Sequence, residues 1–164
     1  MLEQKEKIVL ISCVSQKTSY PARIKDLYTS PLFKKTWEYT VTFEKPKDIY
    51  ILSALHGLIK WDTICEPYDK TLLDMSKEEC LEWAKKVKAQ MAITFLKDKK
   101  MEDYEFVLFA GSKYYENLLD YFPEGTLRLP LGKLPIGKRL GVLTTALKTG
   151  KEIILEEKGN NESK

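Results

Sequence analysis

The only histidine of the chain, His56, stands between Leu55 and Gly57, just past the run Asp48-Ile-Tyr-Ile-Leu-Ser53. Glu66-Pro67-Tyr68-Asp69 follows shortly after it. Two carboxylates around a rigid proline can activate water or stabilise an oxocarbenium-like centre, as glycosidic bond cleavage requires. An imidazole beside them can exchange protons near neutral pH or interact with a leaving group. Plainer readings stay open. His56 can be a satisfied structural histidine, and Glu66 and Asp69 can cap the helix region at Ser76 and dock a loop.

Two other polar stretches carry usable chemistry. Ser12-Cys13-Val14-Ser15-Gln16-Lys17 offers hydroxyls, a thiol and a cation, a set that can receive an anion such as phosphate. It can equally be an ordinary strand-to-helix connection. Gly111-Ser112 directly precedes a helical pattern; Ser112 can cap that helix, and the N–H groups at its start can hold an anion. Cys13 and His56 could form a thiol–imidazole pair, or Cys13 could be a small buried hydrophobe. Tyr20, Tyr28, Tyr68, Tyr114 and Tyr115 could stack on a base or pack in the core. No Gly-x-x-x-x-Gly-Lys loop and no Gly-x-Gly-x-x-Gly turn is present, so neither a Walker-type site nor a dinucleotide cofactor is expected. No cofactor of any kind is expected.

The elements that must position these residues alternate in type. Residues 7–12, 48–53 and 105–110 are short apolar runs that read as buried strands, and 126–129 as a short fourth. Ser30-Pro31 is an N-cap followed by proline at the first helical position. That helix should turn Leu32, Phe33, Trp37 and Val41 inward. Ser76 and Glu79 have capping-box spacing and open a helix to about residue 97, with Cys80, Ala84, Val87, Met91 and Phe95 on its apolar face. The run of Lys85, Lys86 and Lys88 reads as its solvated side. A further helix over about 137–148 is closed by Gly150.

Strands alternating with helices predict a single α/β domain with a mostly parallel central sheet of about four strands and helices on both faces. The domain should span residues 1–150, with 151–164 a C-terminal strand or tail. In a parallel sheet the strand ends at Ser12, Ser53 and Gly111 fall on one edge, so three distant polar loops should meet in one cleft.

Composition narrows the class. The 164 residues suit one domain, and 43% hydrophobic with 31% charged residues suits a globular protein. No apolar run approaches the roughly 20 residues that span a bilayer, and no secretory segment is visible, so a cytoplasmic protein without membrane association is expected. Three scattered cysteines and one histidine do not make a zinc set, and no metal site is expected. The net charge of +3 permits nucleic-acid binding without demanding it.

Five motifs in order carry a family resemblance. They are Ile11-Ser-Cys-Val-Ser-Gln-Lys17, Leu27-Tyr-Thr-Ser-Pro-Leu-Phe33, Leu52-Ser-Ala-Leu-His-Gly-Leu58 with Glu66-Pro-Tyr-Asp69, Ala110-Gly-Ser-Lys-Tyr114, and Pro130-Leu-Gly-Lys-Leu-Pro-Ile-Gly137. Together they resemble a small bacterial and phage domain family similar to the peroxide-stress YaaA family. The resemblance implies an α/β domain, DNA binding, and a link with modified-base metabolism and phage defence. Its motif positions here are Ser12, Cys13, Ser15, Lys17, Tyr28, Ser53, His56, Gly57, Glu66, Tyr68, Asp69, Gly111 and Tyr114.

Residues and resemblance together lead to an expected enzyme that cleaves an N-glycosidic bond, a DNA glycosylase releasing a modified or damaged base. Asp69 or Glu66 would position water, and His56 would stabilise the departing base. Tyr20 or Tyr114 would stack on that base, while Ser53 and the backbone near His56 would read its edge. Lys17 and the Gly111 loop would hold phosphate. The alternatives are a non-enzymatic DNA-binding module and a small nucleoside or nucleotide hydrolase or transferase.

Overall fold

The computed structural model describes residues 4–12 and 17–154; Cys13 and Ser15 lie outside the described residues, as does the tail from 155 onward. In chain order the elements are β1 (Glu6–Ser12), β2 (Ala22–Arg23), α1 (Ile24–Leu27), α2 (Pro31–Tyr39), β3 (Asp48–Ser53), β4 (Gly57–Lys60), β5 (Ile64–Cys65), α3 (Lys77–Phe95), β6 (Tyr104–Phe109), α4 (Ser112–Tyr115), β7 (Leu127–Arg128) and α5 (Ile136–Thr149). The central sheet runs β4-β3-β1-β6-β7, and β2 pairs with β5 in a separate ribbon. β3, β1, β6 and β7 are parallel; β4 alone is antiparallel, folded back on β3.

Register explains why the middle of the sheet is continuously apolar. Ile11 aligns with Ile51 on one side and Phe109 on the other. Ile8, Val9, Leu10 and Ile11 are all almost fully buried, as expected of a strand covered on both faces. Side chains alternate across the sheet. Phe109 meets Tyr39 of α2 at 5.9 Å, whereas Tyr50 and Phe106 meet Phe95 of α3 at 5.2 and 5.4 Å. α2 and α3 therefore cover opposite faces.

Local signals set the helix ends. The Ser30 hydroxyl accepts from Phe33 N with Pro31 at the first turn, and the Ser76–Glu79 capping box is complete. All five apolar positions expected for α3 are buried, with Trp83 added. The inner face of α2 differs from expectation: Phe33, Thr36 and Tyr39 are buried, whereas Val41 is exposed. Beyond Tyr39 the helix widens into a π-turn over Thr40–Glu44, which rotates Val41 outward. Gly111, not Ser112, occupies the N-cap of α4 and supplies no side-chain cap; Ser112 is the first helical residue and is exposed. That helix is one turn long, and it ends before Leu118 and Leu119. Residues 151–154 form no strand, although Ile153 N docks on the Tyr39 hydroxyl at 2.9 Å.

A charged network ties the other edge of the sheet. The Glu44 side chain is fully buried and accepts from Arg128 at 2.7 and 3.1 Å and from Lys7 at 3.0 Å. Arg128 also reaches Glu105. Burial pushes the Glu44 carboxyl up, but its bonds to Arg128 and Lys7 outweigh burial and hold it below the usual carboxylate range. Its contribution to stability is therefore present above the unfolded value and is lost as pH falls through the lowered folded one. Removing one partner of a buried pair strands the other charge. Arg128→Ala should destabilise the fold by about 3 kcal/mol in denaturant unfolding at neutral pH; a loss under about 1 kcal/mol would mean that Lys7 alone satisfies Glu44.

Candidate functional site

The carboxyl ends of β3, β1 and β6 lie side by side, because Leu52 pairs with Ser12 and Ile11 with Phe109. The loops carrying Ser53–Gly57, Ser12 and Gly111 therefore share one edge of the sheet.

The first of these loops is held from behind by α3. Trp83 Nε1 donates to Ser53 O at 2.8 Å and Lys86 Nζ to Leu55 O at 3.0 Å. The Gln90 amide grips both sides of the turn, donating to His56 O at 3.0 Å and accepting from Leu58 N at 2.8 Å. Trp83, Lys86 and Gln90 are spaced at helical intervals on one face of α3. Gly57 has φ 73°, and a Cβ there would fall 2.2 Å from Gln90 Oε1. Glycine is required both by the backbone and by the clamp. The turn is a β3–β4 hairpin with Ser53 opposite Gly57, which reading the sequence missed.

In front of the turn lies a chain of hydroxyls. Ser53 is fully buried, and its Oγ accepts from Leu55 N and His56 N at 3.2 and 3.0 Å. Both lone pairs are then engaged, so the Ser53 proton must go to the Tyr68 oxygen 2.7 Å away. Tyr68 and Tyr28 share a hydroxyl–hydroxyl hydrogen bond. Lys17 Nζ lies over the Tyr68 ring at 4.6 Å and the Tyr28 ring at 5.6 Å, where the aromatic faces attract a cation. Residues from four separate segments are thus brought together: Lys17, Tyr28, Ser53 and Tyr68.

His56 joins the group edge-on, its ring 5.5 Å from that of Tyr68. Its Nε2 is buried and has no hydrogen-bond partner among the described residues. Burial, and secondarily the Lys86 charge, push its pKa below the ordinary histidine value. The imidazole is therefore chiefly neutral at pH 7, and its Nε2 is buried without a hydrogen-bond partner among the described residues.

Glu66 and Asp69 flank the anchored Tyr68. Both are exposed, and neither makes a hydrogen bond or ion pair among the described residues. They do not cap α3, because Glu79 does that. Tyr20 is 61% exposed and presents an open ring. Tyr114 is different: it is buried, 5.6 Å from Trp83 and edge-on to it, and its oxygen accepts from Leu72 N. A ring sealed in this way cannot stack on a base, so that expectation is corrected. Tyr28 is likewise buried and works through its hydroxyl.

The cation beside the Gly111 loop is Arg139, which reading the sequence overlooked. Its Nη1 would lie 3.6 Å from a Cβ at Gly111. The signal was present: Arg139 precedes the buried Leu143 by four residues and Ala146 by seven, on the inward stripe of α5. Among the described residues no cluster of three or more His, Cys, Asp or Glu side chains could hold a metal, and no helix is long and apolar enough to cross a membrane. Cys65 and Cys80 are free and buried.

Residues 8–145 match the model of a family described as a family of unknown function (DUF6884), and the chain belongs to that family. No curated protein and no solved structure matches the chain.

Two measurements test this geometry. Gly57→Ala forces a left-handed alanine and displaces the Gln90 amide, and should cost about 3 kcal/mol from strain plus two lost hydrogen bonds; a near-neutral result would show that the clamp is dispensable. As the only imidazole, His56 can be titrated cleanly by proton NMR and should give a value below about 6.5. Because the unfolded chain takes up the proton first, His56 should withdraw stability as pH falls from about 6.5 through the folded value. A value at or above 6.5 would contradict the burial of Nε2.

Proposed function

We propose that the protein is a nucleic-acid-processing enzyme that cleaves an N-glycosidic bond, acting as a DNA glycosylase on a modified or damaged base. The observation that carries this reading is the anchoring of Tyr68 by Ser53 and Tyr28. It fixes the segment that carries two exposed carboxylates, Glu66 and Asp69, which make no hydrogen bond or ion pair among the described residues, on either side of a tyrosine whose ring meets a neutral histidine. Carboxylates without a partner among the described residues are available for chemistry, and their exposure leaves room for a sugar and a water.

In this reading the base is taken out of its stack, at a cost of a few kcal/mol, and stacks on the open Tyr20 ring. One carboxylate stabilises the positive charge that builds on the sugar as the C1′–N bond lengthens. The electron pair of that bond leaves with the base. Water adds its oxygen at C1′ and gives one proton to the carboxylate, which passes it on to the departing base. Membership of the YaaA-like group, with a role in modified-base metabolism or phage defence, belongs to this same proposal.

A free nucleotide as substrate is the second reading. It is favoured by a net charge of only +3, which is little for a duplex binder.

Asp69→Asn or Glu66→Gln removes the charge and keeps the shape. One of the two should lower base release by about 10²–10⁴-fold while leaving the melting temperature unchanged. The assay is alkali-sensitive strand cleavage on uracil-containing, hypermodified and unmodified DNA, with free base from mononucleotides followed in parallel. Wild-type protein that binds DNA but releases no base from any substrate would replace the enzyme with a binding module.

A further inference from the structure

We propose that the crevice between the carboxyl ends of β1 and β6 is a phosphoryl-binding site, with the Arg139 guanidinium as its principal ligand and the Ser12 hydroxyl as a second donor. Three independent features converge there.

The first is topology. From β1 the chain crosses to β3 on one side, and from β6 it crosses to β7 on the other. The connections diverge between β1 and β6, which are paired neighbours. In open parallel sheets this divergence leaves a crevice at the carboxyl edge, and ligands bind in it.

The second is a cavity at that place. It is bounded by Ile11 and Ser12 of β1, Phe109 and Ala110 of β6, Phe33 of α2, and Arg139 of α5. Its volume is about 20 Å³, room for about one water or one phosphoryl oxygen, with the remainder of a ligand outside.

The third is the state of Arg139. The side chain is half-buried among apolar neighbours, yet no carboxylate reaches it among the described residues. Among the described residues its one hydrogen bond runs from Nε to Leu134 O at 2.8 Å, which orients the guanidinium and leaves both terminal nitrogens without partners there. Burial accordingly pushes its pKa below the ordinary arginine value. Arg128, the other half-buried arginine described, is by contrast paired with Glu44 and Glu105. A planar, oriented, unpaired fork is suited to two oxygens of one phosphoryl group. The Pro130–Gly137 loop has a role in this arrangement, since its Leu134 carbonyl orients the guanidinium.

The cavity adjoins the tyrosine centre. Phe33 is part of its wall, and its ring centroid is 5.0 Å from that of Tyr28. A phosphoryl group at Arg139 would place the rest of a nucleotide toward Tyr28 and Tyr68. That placement rests on the proposed function; the anion site itself does not.

Calorimetric titration of the full chain with inorganic phosphate, a 5′-mononucleotide and a single-stranded oligonucleotide lacking terminal phosphate tests the site. Arg139→Gln should weaken phosphate binding about 10- to 100-fold, the range for a charge-assisted hydrogen-bonded pair. Ser12→Ala, a change at a strand end that leaves the core intact, should weaken it a few-fold and keeps the test valid if Arg139→Gln folds poorly. Tighter binding of the mononucleotide than of the oligonucleotide assigns a terminal phosphate; the reverse assigns a backbone phosphodiester. Phosphate binding that is unchanged in both variants, or equalled by acetate, would overturn the proposal. Arg139-dependent phosphate binding in a protein that releases no base would leave the site standing and retire the glycosidase reading. Base release that is indifferent to Arg139→Gln, together with phosphate binding unchanged in both variants, would do the opposite.

Discussion

The grip of α3 on the hairpin after β3 is the constraint on which the candidate site depends. Four backbone groups of the turn, the carbonyls of Ser53, Leu55 and His56 and the amide of Leu58, are bound by Trp83, Lys86 and Gln90. A hairpin turn at the edge of a sheet would ordinarily satisfy these groups with water and move. Here they are satisfied by a helix whose own apolar face is locked into the core through Val87, Met91 and Phe95. The turn inherits the rigidity of the core, and Ser53 and His56 inherit it from the turn. From Ser53 the order passes to Tyr68 and Tyr28 through hydroxyl hydrogen bonds, and so to the segment bearing Glu66 and Asp69.

Two polar centres result, separated by the ring of Phe33. One is aromatic and hydroxylic, with Lys17 over its rings; the other is an unpaired guanidinium in a small crevice. Preorganisation of this kind makes a fixed dipole or cation more effective than the same group in water, because nothing reorients when a ligand arrives. Two groups without a hydrogen-bond partner among the described residues, the buried His56 Nε2 and the terminal nitrogens of the half-buried Arg139, lie at the carboxyl edge of the sheet. At the opposite edge Glu44, Arg128, Lys7 and Glu105 satisfy one another. The fold closes its charges at one edge and leaves them available at the other.

Much of the scaffold was legible in the sequence because its signals are local. Apolar runs marked β1, β3 and β6; Ser30-Pro31 and Ser76 with Glu79 marked two helix starts; and parallel topology then placed Ser12, Ser53 and Gly111 on one edge. The contacts that make the site were not legible, because they join distant segments. Tyr28 and Tyr68 read as stacking surfaces, and no local pattern reveals that their hydroxyls meet. Lys86 read as a solvated side chain of an amphipathic helix and Gln90 drew no reading, whereas both bond to a turn far away in sequence. Ser112 looked like a cap because serine favours that position, but the chain entered the helix one residue earlier, at Gly111. β4 was missed because only four residues, Gly57–Lys60, carry it, too few to show alternation.

The central claim is that a nucleotide unit, within DNA or free, binds at the carboxyl edge of the sheet, across these two centres. Backbone amide NMR of the labelled protein, titrated with a 5′-mononucleotide, tests it most directly. The account predicts that shifts concentrate at Ser12, Lys17, Ser53–Gly57, Tyr68, Gly111 and Arg139, with the amides of the Glu44–Arg128 edge unmoved. Shifts confined to that opposite edge, or to the exposed lysine face of α3, would contradict it.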